Sequence, residues 1–375
     1  MKTIKFLVMG FLAAYLFMAC GSDSDGTIPD PEPVPPVVTQ PDELEFKVLV
    51  YIDKPSVMGH LGGSERMVTT RMNTLFRQVS NYWNECSHGK LKHKYRYSMA
   101  DMMVYEGSSN DPAFRKKVYD DPMDFSKYDV VVLFDCKQDN GETGNGGGAC
   151  GGGKDNRSVI TVIAGAEPKD IFNDATYRTL VHELGHYRGV TDLYQYLIVA
   201  KDNPVNHQDY NGPIDCVMNW AAAGEWSDYA AKCMNLSAGS KQIGNDFPDF
   251  FGQMYPKKLE VTVTVGGQPK RGVKVNLYGS RAGGTNRSRD IWPEVFLSGQ
   301  TDTNGKYALT DMKQYFVPDR NKFSNLPSDL PYGRWFGFLA EVTYDNVKKY
   351  AWMPEYIVQM PFFEGKDTYS VNIAF

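Results

Sequence analysis

Near Pro256 the spacing of apolar residues changes period, and that change divides the chain into two kinds of structure. Before it, Phe46–Ile52 (FKVLVYI) and Tyr128–Phe134 (YDVVVLF) are almost unbroken β-branched or aromatic runs, the pattern of strands buried on both faces. Ser158–Ala164 (SVITVIA) is a further strand of this kind, and Leu91–Tyr97 (LKHKYRY) alternates as a half-exposed one. Glu65–Glu85 instead repeats Met67, Met72, Leu75, Phe76, Val79 and Trp83 at helical spacing, and a second helix is expected from an Asp174 N-cap to Arg188. From Leu259 the period is two: LEVTVTV, VKVNLYG, GKYALTD, FLAEVTY, KKYAWM and YSVNIAF follow one another, with no helical pattern between them. The expectation is a mixed twisted sheet with helices over residues 46–256, an α+β domain, followed by an all-β sandwich over 257–375.

The N-terminus is read as a processing signal rather than as fold. Lys2 and Lys5 precede an apolar run from Phe6 to Ala19, too short to span a bilayer comfortably. The segment resembles a bacterial lipoprotein signal, which implies removal of residues 1–19 and lipidation of Cys20. A plain secretory signal is the alternative, and both imply export. Residues 20–45 then form a tether: GSDSDG is small and acidic, and Pro29–Pro41 is proline-rich with little to bury. The acidic patch after Cys20 resembles the export tag of some surface-displayed lipoproteins. The implied place is the outer membrane or cell surface, facing periplasm or exterior, with membrane attachment through the Cys20 lipid.

Export permits disulfides. Of the five later cysteines, the pairs expected from proximity in sequence are Cys136 with Cys150 and Cys216 with Cys233, which leaves Cys86 over. The balance of 40 Lys and Arg against 45 Asp and Glu gives a net charge of −5, which excludes a strongly basic nucleic-acid binder. Gly148–Lys154 (GACGGGK) has the spacing of a phosphate-binding loop. Asp155 stands where Ser or Thr would bind Mg²⁺, and the loop leads into a strand, so nucleotide binding is excluded too.

The chemistry is concentrated in Val181–Tyr194 (VHELGHYRGVTDLY). His182 and His186 are one helical turn apart, so both imidazoles can reach a single Zn²⁺, and Glu183 is placed to take a proton from water. Gly189 permits the helix to end. Asp192 can return as the third ligand; His207 is its rival. His60, His88 and His93 are read as surface or satisfied polar residues.

The pattern H-E-x-x-H-x-x-G-x-x-D at His182, Glu183, His186, Gly189 and Asp192 resembles the metzincin clan of zinc peptidases, and the final Asp resembles the small neutral proteases of the snapalysin type. Ile214–Trp220 (IDCVMNW) is similar to the clan's Met-turn, which implies Met218 beneath the metal. The resemblance implies a zinc endopeptidase acting on protein or peptide substrates, with a substrate-pairing edge near the Gly148 region. Where some clan members carry a transition-state tyrosine two places after the methionine, this chain has Trp220. The terminal region resembles transthyretin-like, carboxypeptidase-regulatory modules through GQPKRGVKVNLYG and GQTDTNGKYALTD. A different class remains open: a surface binding or adhesion lipoprotein whose zinc is structural, with the sandwich carrying the function.

Overall fold

A computed structural model describes residues 42–59, 61–106, 126–135, 146–150, 159–163, 171–210, 214–240, 247–281, 289–330 and 333–375. The signal, Cys20, the proline-rich tether, His60 and Cys136 lie outside them, and so does the side chain of Cys150. The described chain is mixed α/β, with its strands in three sheets.

The first sheet contains β1 (Glu43–Asp53), β2 (Lys94–Tyr105), β3 (Val130–Asp135), β4 (Gly146–Cys150) and β5 (Val159–Ile163), in the order β2-β1-β3-β5-β4. β2, β1, β3 and β5 are mutually parallel, and β4 closes the edge antiparallel to β5. Parallel pairing requires crossovers, and the one between β1 and β2 is made by a short helix, α1 (Lys54–Met58), and a long one, α2 (Glu65–Glu85). The Asp53 carboxylate caps the first by accepting from the Ser56 N–H at 2.9 Å, and Ser64 caps the second by accepting from Met67. Alternation in β1 serves both faces. Phe46, Val48, Val50 and Ile52 join the core beneath α2, while Leu49 and Tyr51 gather with Val131 and Leu133 in a separate cluster. That is why the strand reads as continuously apolar.

β2 is an edge strand whose outward backbone groups would be open to pairing with another chain. Two α2 side chains occupy them: Asn84 accepts from the Tyr95 N–H at 3.0 Å and donates to its carbonyl at 2.8 Å. Ser80 does the same for Tyr97, at 2.9 and 3.2 Å.

After α3 (Asp174–His186), α4 (Asp228–Leu236) and α5 (Phe247–Gly252), the chain becomes predominantly strand. β6 (Lys258–Val265), β7 (Gln268–Pro269), β11 (Lys306–Thr310) and β14 (Thr368–Ala374) form one sheet. β8 (Lys274–Arg281), β9 (Asp290–Ile291), β10 (Leu297–Gln300), β12 (Gly337–Tyr344) and β13 (Val347–Pro354) form the other. Val261 and Val263 from the first share one core with Leu277, Phe338 and Ala340 from the second, which is the origin of the period-two pattern. Among the described residues, three helical turns that the pattern did not show interrupt the strands: α6 (Lys313–Phe316), α7 (Glu355–Val358) and α8 (Met360–Phe363). Residues 41–375 cluster as one compact unit, with Phe336 and side chains of α7 and α8 packed on the core of the first sheet. No helix among the described residues is long and apolar enough to cross a membrane.

The expected Cys216–Cys233 disulfide is not formed. Both are buried free thiols, as is Cys86. Cys216 sits in a turn where its sulfur accepts from the Met218 and Ser227 backbone N–H groups, and Cys233 lies in α4 against Tyr229. Burial pushes the Cys86 thiol up to about 11, so it is protonated and unreactive at neutral pH.

Candidate metal centre

α3 begins one residue earlier than the sequence suggested. Its N-cap is Asn173, whose side chain accepts from the Thr176 N–H at 3.0 Å, and Asp174 is the first helical residue. The helix buries Leu180, Val181, Leu184 and Gly185 and turns His182 and His186 the other way. It stops at His186 rather than Arg188 because Gly189, at φ 76°, takes the left-handed conformation. The Val190 N–H then bonds back to the Gly185 carbonyl at 3.2 Å, and the chain reverses to bring Asp192 over the histidines. A side chain at Gly189 would also collide with the Phe250 ring.

One Asp192 oxygen lies 3.0 Å from His182 Nε2 and 3.3 Å from His186 Nε2. Among the described residues, these three side chains are the group of His, Cys, Asp and Glu able to hold a metal ion, with ligand atoms within 4.8 Å of one another. Each imidazole is oriented from behind. His182 Nδ1 donates to the Val217 carbonyl and His186 Nδ1 to the Val190 carbonyl, both at 2.8 Å. A carbonyl only accepts, so each Nδ1 carries hydrogen and Nε2 is the nitrogen that each ring turns to the shared point, free to ligate once it is unprotonated. Two imidazoles in their neutral form and a carboxylate are a donor set that suits divalent transition metals, zinc among them. Burial disfavours charge on His186, but the Asp192 carboxylate outweighs it and raises the imidazole to about 9. Burial acts upward on Asp192, and the two histidines overcome it and hold the carboxyl far below its ordinary range. A metal therefore competes with a proton for this site.

Glu183 is buried beside the first histidine, close enough for its charge to act on both His186 and Tyr194. Met218 is fully buried beneath the helix. A Cβ added at Gly185 would strike its sulfur, so glycine is what lets the methionine reach the turn between the two histidines. The Met218 carbonyl accepts from the Leu193 N–H at 2.9 Å, tying the turn to the Asp192 segment. Trp220, two places on, is 69% exposed and stands outside the core. His207, the rival ligand, is exposed and away from the group, and His88 is an exposed residue whose ring contacts the Gly224 carbonyl.

Tyr194 escaped the sequence reading. Its ring lies nearly parallel to that of His182, centroids 6.4 Å apart, and burial together with the Asp192 charge raises its hydroxyl well above the ordinary tyrosine range. The available signal was its position two residues after a candidate ligand.

No protein-family model matches the chain, and comparison with curated proteins finds no match. Among solved structures it is similar to a chain of a chaperone–substrate complex at 14% identity and TM-score 0.33, covering 53% of this chain and 35% of that one. It is also similar to a 9R-lipoxygenase from Cyanothece at 13% identity and TM-score 0.16, covering 33% and 17%. The chain thus spans about a third of the length of the first and a sixth of the second. Likeness of this degree assigns neither fold nor activity.

Proposed function

We propose that the protein is an exported, lipid-anchored zinc endopeptidase of metzincin type, attached at Cys20 to the outer membrane or cell surface. The observation that carries this reading is the convergence of His182, His186 and Asp192 on one point, with Glu183 buried on the same helix. Zinc bound there would polarise a peptide carbonyl and acidify a water. Glu183, as general base, would take a proton from the attacking water and return it to the departing amine. β4 is the edge strand opposite β2 among the described residues, and its glycines would admit a substrate backbone alongside it. On this reading residues 46–256 are the peptidase portion, and the two C-terminal sheets are a transthyretin-like sandwich.

The test is hydrolysis of a mixture of denatured proteins by the purified chain, with and without a chelator. The wild type should cleave and the chelator should stop it. Glu183→Ala should retain stoichiometric zinc yet lose about 100- to 10,000-fold in rate, because the ligands remain and the base is gone. Undiminished turnover in that variant would overturn the mechanism.

A further inference from the structure

His182 and His186 are fixed by a helix, but Asp192 is not. It precedes a 3-10 turn, Leu193–Tyr196, and its side chain makes no capping bond to that turn. Its position therefore depends on what anchors the turn, and the anchors come from distant parts of the chain. One is the Met218 carbonyl already described. The other two belong to the C-terminal half: Arg289 Nη1 donates to the Tyr194 carbonyl at 2.8 Å, and the Tyr196 hydroxyl donates to Glu355 at 2.9 Å.

Of the two C-terminal anchors, Arg289 holds the residue nearer to Asp192 in sequence. Its guanidinium lies 5.4 Å from the centre of the Tyr194 ring, so one side chain holds both the backbone and the ring of the residue two places after Asp192. Arg289 is itself held in place. The next residue, Asp290, pairs with Arg281 of β8, which also grips Asp329 at 3.0 Å and lies over Trp292 at 4.9 Å.

We propose that Arg289 is a positioning residue for the metal, holding Tyr194 so that the Asp192 carboxylate meets His182 and His186. The C-terminal sheets are then part of the centre and not an appendage to it. The inference rests on the metal reading above. Residues that orient a ligand from behind commonly carry about 10- to 100-fold in metal affinity.

The probe is Co²⁺ added to the purified full chain, followed by its visible absorption bands and by competition with a chelating dye. Arg289→Ala should bind cobalt at least about 10-fold more weakly, with shifted bands, while the melting temperature of the metal-free protein is unchanged. Arg289→Lys keeps a cationic donor for the Tyr194 carbonyl and should fall between the two. Tyr194→Ala removes the ring against which the Arg289 guanidinium lies and should weaken and shift the bands in the same direction, which keeps the test open if Arg289→Ala misfolds. Wild-type affinity and spectrum in both Arg289→Ala and Tyr194→Ala would overturn the proposal while leaving the metal site standing. A wild type that binds no cobalt would instead remove the metal reading itself.

Discussion

At the scale of single residues, the site depends on what is absent as much as on what is present. Gly185 lies inside a helix, where alanine is ordinarily the better residue by about 1 kcal/mol. The Met218 sulfur occupies the space its Cβ would need. Gly185→Ala should therefore destabilise the protein, because overpacking costs about 1 to 3 kcal/mol and outweighs the propensity gain. Met218→Ala should cost about 2 to 5 kcal/mol by leaving a cavity, and the double variant should cost less than the sum. Urea denaturation of the three proteins measures this, and a stabilised Gly185→Ala would show that the contact is not there.

At the scale of elements, α2 covers the edge of β2 with two polar side chains. Asn84→Ala strips both partners from Tyr95 and should lower stability by about 1 to 3 kcal/mol. It should also raise light scattering, since the uncovered edge can pair with another molecule; unchanged stability and solubility would refute the edge-capping role. Nothing in the sequence marks Ser80 and Asn84 for this task, because their partners lie on a strand beyond the helix. What was legible is what local periodicity encodes. α2 has the limits its apolar spacing gave, and the strands after Leu259 follow their alternation. β2 was expected to end at Tyr97 but continues to Tyr105, because its parallel ladder with β1 extends past the alternating stretch through a register shift. α6, α7 and α8 span four residues each, too few to display a 3.6-residue period. In the site, the i and i+4 histidines were readable because a helix fixes their geometry. The choice of Asp192 over His207 depended on the path of a loop, and the cysteine pairing on the packing of whole elements.

At the scale of the molecule, the two halves are joined by buried polar chemistry. Glu355 is fully buried, pairs with Arg334 at 3.1 Å, and accepts from Tyr196 and Tyr255. One helical turn on, Gln359 accepts from Tyr229 at 2.6 Å. Glu355→Ala leaves the Arg334 guanidinium without this carboxylate and should cost about 3 to 5 kcal/mol. The loss should appear as a single shifted unfolding transition in calorimetry. Two separate transitions, with only the later one displaced, would show that the halves unfold independently. The same union gathers the candidate metal centre, whose histidines lie on a helix of the first half and whose Asp192 segment is bonded from both. X-ray absorption at the zinc edge of the purified, zinc-loaded chain tests that centre most directly. The expected result is one zinc per chain with two imidazole nitrogens at about 2.0 to 2.1 Å and carboxylate or water oxygen at about 2.0 to 2.2 Å, lost in His182→Ala. Sulfur ligands at about 2.3 Å, or zinc retained unchanged in His182→Ala, would contradict it.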